Sequence, residues 1–104
     1  MRVRELIQDK LKDPSFAADL DTVMRNVGAS NVRVLNPDAH LESHLTSTIE
    51  LICAFEKGRT LLDLVTLEGD LQLLLGYRVN VQTVGSPSAL TLGEVIQNSV
   101  LLHG

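Results

Sequence analysis

Apolar residues return every three or four positions at Val3, Leu6, Ile7 and Leu11, the spacing of one helical face. Asp13-Pro14 ends that segment, since proline disfavours helical geometry in the residue before it. The same pair opens a second helix, with Asp13 as cap and Pro14 in the first position. Phe16, Leu20, Val23, Met24 and Val27 form its stripe, and Gly28 is placed to end it. The period then changes. Val32-Arg33-Val34-Leu35 alternates as a short strand and breaks at Asn36-Pro37, after which residues 37–44 suit one or two helical turns with Asn36 as a cap. In Ser47-Thr48-Ile49-Glu50-Leu51-Ile52-Cys53-Ala54-Phe55, Thr48 and Glu50 share one strand face while Ile49, Leu51 and Cys53 share the other. From Leu51 onward both faces are apolar, as in a central strand.

Glu56-Lys57-Gly58 makes the turn out of that strand, and Thr60 caps a long helix with Asp63 in its first turn and Gly76 at its end. Leu61, Leu64, Leu67, Leu71, Leu74 and Leu75 form a wide stripe predicted to face the sheet. Leu62, Thr66, Gly69 and Leu73 form a second row on the opposite side, with Val65 beside it, at a spacing suited to packing against another helix. Asp63, Glu68 and Asp70 read as a solvated face. Tyr77-Arg78-Val79-Asn80-Val81-Gln82-Thr83 alternates as a third strand. A turn at Gly85-Ser86-Pro87-Ser88 leads to a last helix, with Thr91 and Glu94 as a capping box and Leu92, Val95, Ile96 and Val100 inward. The predicted fold is α/β (α+β): a small mixed sheet of about three strands covered by helices. The chain is expected to form one domain over 1–104, with helices in 1–29 and a core in 30–104.

Composition narrows the function classes. Aromatic residues make up 3% of the chain, so stacking platforms for bases are essentially absent. Nine basic and thirteen acidic side chains give a net charge of −4 with no basic cluster, which argues against nucleic acid as a partner. The single Cys53 lies in the apolar run and reads as a small buried hydrophobe in a reducing compartment. The start of the chain, Met-Arg-Val-Arg-Glu, is charged and helical in pattern, and no apolar run approaches a membrane span, so a cytoplasmic protein is expected.

Several stretches carry a resemblance to a family. Val32-Arg33-Val34-Leu35, the strand from Ser47, the turn and helix start Phe55-Glu56-Lys57-Gly58-Arg59-Thr60-Leu61-Leu62-Asp63-Leu64-Val65, and Leu75-Gly76-Tyr77-Arg78-Val79-Asn80-Val81 follow one another at matching spacing. Over about residues 30 to 102 the chain resembles the minimal nucleotidyltransferases, small members of the polymerase-β-like superfamily. The resemblance implies a nucleotidyltransferase-like fold and a known chemistry. In the family, two aspartates on alternate strand positions and an acidic residue on the next strand hold two Mg²⁺ ions on a nucleoside triphosphate. A Gly-Ser turn cradles the phosphates with backbone N–H groups.

At the positions matching those residues this chain has Thr48, Glu50 and Asn80, so one carboxylate remains. The Gly-Ser position holds Asn36-Pro37, and proline has no N–H to donate. Asp38 brings negative charge to the phosphate position, and His40-Leu41 replaces the family's basic residue and glycine. Loss of metal clamping alone removes several kcal/mol of transition-state stabilisation, on the order of a thousandfold in rate. No catalytic residue and no cofactor are expected at these degenerate positions. Family members often serve as antitoxins beside a HEPN-domain protein. The resemblance therefore implies a HEPN-like toxin or a second copy as partner; with the matched positions degenerate, an inactive, protein-binding domain is expected, and the helical spacing offers Leu62, Thr66, Gly69 and Leu73 as the docking row. The alternative is a residual nucleotidyltransferase or nucleotide-binding protein using Mg and ATP through Glu50 and Asn80. His40 and His44 would share a helical face, with Glu42 or Glu50 as further candidates for a metal, but without a third ligand at convincing spacing they read as surface histidines and no metal is expected.

Overall fold

Strand residues that alternate inward meet three helices on one side of a four-stranded sheet. The computed structural model describes residues 1–43, 46–83 and 100–103. The elements are α1 (Val3–Leu11), α2 (Pro14–Val27), β1 (Ala29–Val34), β2 (Thr48–Phe55), α3 (Leu61–Leu75), β3 (Arg78–Thr83) and β4 (Val100–His103). The sheet order is β3-β2-β1-β4, with β2 parallel to β3 and β1 antiparallel to both β2 and β4. This is the mixed α+β fold expected, with a fourth strand added. Val100, predicted on the inner face of a last helix, instead opens β4; the rest of that helix and its capping box lie outside the described residues.

The helix ends follow their sequence signals. Asp13 accepts the Ser15 N–H at 2.9 Å, and Gly28 closes α2 at φ 65°, a left-handed conformation that costs glycine little. An added Cβ at Gly28 would collide with the Arg59 guanidinium and lie 2.8 Å from Glu56 Oε2, so the α2 terminus is held close against the β2–α3 turn. Asp63 accepts the Thr60 N–H at 2.9 Å at the start of α3. β1 begins three residues before its predicted start, because Asn31 takes φ 52° at an irregularity where the register with β2 shifts.

One aliphatic core joins Val3, Leu6 and Ile7 of α1, Phe16, Leu20, Met24 and Val27 of α2, and Leu67, Leu71 and Leu75 of α3 to the inward residues of the strands. Each such side chain, fully buried, contributes roughly 1.5–3 kcal/mol by leaving water. Leu61 departs from its predicted stripe and is 74% exposed. As the first residue of α3 its Cβ tilts toward the helix N-terminus, where it lines an open pocket with Arg59 and, at the ends of β2 and β3, Phe55 and Thr83.

Cys53 is fully buried in this core, and burial pushes its thiol up from 9.0 to about 12. A thiol reagent is therefore expected to leave the native protein unmodified at neutral pH and to label it completely in denaturant. Folding keeps the thiol protonated where the unfolded chain would release its proton. The linked stability is thus intact below 9.0 and falls as pH rises from there toward 12. An unfolding series across that window checks the sign.

Candidate functional site

The strand positions singled out by the sequence lie on the sheet face opposite the helices. In the parallel β2–β3 pair, Glu50 stands beside Asn80 and Thr48 beside Arg78. Side chains at paired positions of adjacent strands project from the same face, about 5 Å apart along the hydrogen-bonding direction. The structure therefore brings Thr48, Glu50 and Asn80 together, as the resemblance required of two neighbouring strands. It adds Arg78, which the alternation of the strand places on the face of Asn80 but to which the sequence reading gave no site role, and Arg33, whose β1 position pairs with Ile52 on that face. Thr48 and Glu50 are half-buried, and Asn80 and Arg78 are exposed.

The loop after β1 is built differently from the helical turns predicted for it. Among its described residues it carries turns and an isolated bridge between His40 and Arg2, and no helix. Asn36 does not cap a helix. Its side-chain amide donates to the Thr48 carbonyl at 2.9 Å, and its side-chain oxygen accepts the Glu50 N–H at 2.9 Å. With the Leu35 N–H donating to the Glu50 carbonyl at 2.7 Å, this extends the β1–β2 ladder through a side chain. The signal for this role was present in the residue type, since an amide beyond a strand end offers both a donor and an acceptor.

The loop is also fastened to α1. The first N–H groups of a helix have no partner within it. Here the Val3 N–H donates to the Ala39 carbonyl at 2.9 Å and the Arg4 N–H to the Pro37 carbonyl at 2.8 Å. The Leu41 N–H donates to the Met1 carbonyl at 2.8 Å, and Arg4 pairs with Asp38 at 3.4 Å. A phosphate cradle needs N–H groups turned outward. In this loop Pro37 has none, the Ala39 N–H is given to the Asn36 carbonyl at 3.2 Å, and that of Leu41 is given to Met1.

The donor set is a poor fit for two metal ions and a triphosphate. Glu50 is the one carboxylate among the matched strand positions, a hydroxyl and an amide stand in place of the others, and guanidinium groups share the face. Among the described residues no three His, Cys, Asp or Glu side chains converge as a metal site. His40 is exposed and lies off any helix, and His44 lies outside the described residues.

On α3 the proposed docking row is on the outside. Leu73 is 85% exposed and Leu62 73%, Thr66 and Gly69 are exposed between them, and Val65 flanks the row at 57%. Of the acids read as a solvated face, Asp63 caps the helix and Glu68 turns inward to accept the Val81 N–H at 3.1 Å. No helix among the described residues is long and apolar enough to cross a membrane.

No protein-family model matches the chain. A candidate protein adenylyltransferase of Methanocaldococcus jannaschii is 32% identical over 73 residues, which span 70% of this chain and 78% of that protein. A solved structure described as that of a candidate minimal nucleotidyltransferase superposes with a TM-score of 0.61 at 29% identity, covering 83% of this chain and 91% of the other. A relative at 32% identity and a solved structure at 29%, each matched over most of its own length and most of this chain, agree, and the chain belongs to the minimal nucleotidyltransferase family.

Proposed function

We propose that this chain is a nucleotidyltransferase scaffold retained as a protein-binding module, catalytically inactive, acting in the cytoplasm in the manner of an antitoxin beside a HEPN-type partner or a second copy of itself. The observation that carries the reading is the β2–β3 register, which sets Glu50 against Asn80 and Thr48 against Arg78. A group that must hold two divalent cations there would have one carboxylate to hold them with. The fastened loop supports the same reading, because its carbonyls serve α1 and Asn36 serves β2. The outer row of α3 supplies the docking surface, with Leu62, Thr66, Gly69 and Leu73 presented to solvent.

A second reading, residual nucleotide transfer to a protein using Mg-ATP, draws on the name of the archaeal relative and on the pairing of Glu50 with Asn80. The two readings separate on the surface used. Purified from its own host, the chain is expected to run as a stoichiometric complex with a partner protein or with itself. Leu62→Glu combined with Leu73→Glu should release the complex while leaving the circular dichroism spectrum unchanged. A wild-type monomer without a partner, or a complex indifferent to the double substitution, would count against the proposal.

A further inference from the structure

We infer that the outer face of α3, with the groove between α2 and α3, receives a basic amphipathic helix from a different protein rather than a second copy of this chain. The inference rests on the protein-binding reading above and names the chemistry of the partner. Leu62, Val65, Thr66, Gly69 and Leu73 follow one another around the outside of α3 without a charged residue among them. Such a face, if left in water, leaves several large apolar side chains unburied, and a helix laid along it would bury them at i, i+3, i+4 and i+7 anchors.

The margins of that face decide the occupant. α3 carries three acidic residues, Asp63, Glu68 and Asp70, and no basic one. Asp63 and Glu68 are engaged within the chain, by the Thr60 and Val81 N–H groups. Asp70 is not. It lines a groove of about 290 Å³ with Leu73, Leu74 and, from α2, Asp19, Thr22 and Val23. Neither Asp19 nor Asp70 takes part in an ion pair among the described residues, whereas Asp21, one turn along α2 from its partner, is paired with Arg25 at 2.9 Å. The groove is thus lined by the apolar Val23 and Leu74 and by one acidic residue from each helix. A lysine or arginine suits such a lining, its stem on the apolar side chains and its charged head near a carboxylate. A second copy offers an α3 that is itself acidic and carries no basic residue to pair with this margin, in a chain whose net charge is already −4.

The test uses the full chain and two synthetic helical peptides of the length of α3, 15 residues. Both carry the same leucines at i, i+3, i+4 and i+7, flanked by lysine in one and by glutamate in the other, and binding is read by fluorescence anisotropy. The lysine peptide is expected to bind roughly tenfold or more tightly than the glutamate peptide, to weaken as salt is added, and to lose binding in Leu73→Glu. Asp19→Lys with Asp70→Lys should reverse the preference, with an unchanged circular dichroism spectrum as the check that the fold is kept. Equal binding of the two peptides, abolished by Leu73→Glu, would overturn the charge inference while leaving the docking row standing. Lysine-peptide binding that survives Leu73→Glu, or no binding of that peptide, would remove the row itself. A homodimer in sedimentation that Leu73→Glu dissociates would replace the basic helix with a second copy.

Discussion

Leu71→Ala is expected to lower the unfolding free energy by about 3–5 kcal/mol, whereas Leu73→Ala, two residues along the same helix, should change it by less than about 0.5 kcal/mol. Leu71 is fully buried between α3 and the sheet, and its truncation leaves a cavity that the surrounding aliphatic side chains can fill only in part. Leu73 is 85% exposed, so its truncation removes no packed contact of the isolated chain. Urea unfolding of the two variants measures the contrast. Equal costs would mean that α3 sits rotated from the placement described, and the docking row with it. Because a domain of this size has about 5–15 kcal/mol in hand, Leu71→Ala should leave a marginal fold, and its midpoint should be compared at low temperature.

Asn36→Ala should cost about 2–4 kcal/mol, more than a half-buried loop residue usually does. The alanine would strand two backbone groups, the Thr48 carbonyl and the Glu50 N–H, each now satisfied at 2.9 Å. Leaving one such group unpaired costs about 1–3 kcal/mol where water cannot replace the partner. Asn36→Asp separates the two bonds. It keeps an acceptor for the Glu50 N–H but turns an oxygen toward the Thr48 carbonyl, so it should destabilise as well. Both variants also test the idea that this loop position has passed from phosphate binding to scaffold. If Asn36→Ala were neutral in urea unfolding, the residue would be free for a ligand and the staple would be incidental.

Much of this fold was legible because local signals and the tertiary solution agree. Asp13-Pro14, Gly28, Thr60 with Asp63, and Gly76 mark helix ends by chemistry that acts within a few residues, and the helices begin and end there. β2 was legible from its alternation and apolar run. The features missed depend on contacts distant in sequence. Val100, Leu101 and Leu102 form a short apolar run without alternation, and only pairing with β1 makes them a strand. Asn31 is an ordinary polar residue until the β1–β2 register shift falls across it. Asn36 reads equally well as a cap, and its choice of Thr48 and Glu50 is set by the β1–β2 register. For the site, the residue types at 48, 50 and 80 and their place on neighbouring strands were legible through the resemblance, while the register that sets Glu50 beside Asn80 and Thr48 beside Arg78 comes from the parallel pairing.

The central claim is that the scaffold persists without the nucleotide chemistry, and calorimetric titration of the intact chain with Mg-ATP tests it most directly. The account predicts no saturable heat at ligand concentrations up to about 1 mM, the range in which a working nucleotide site would fill. Saturable binding in that range that disappears in Glu50→Ala would contradict it, and would return Glu50 and Asn80 to the role their positions hold in the family.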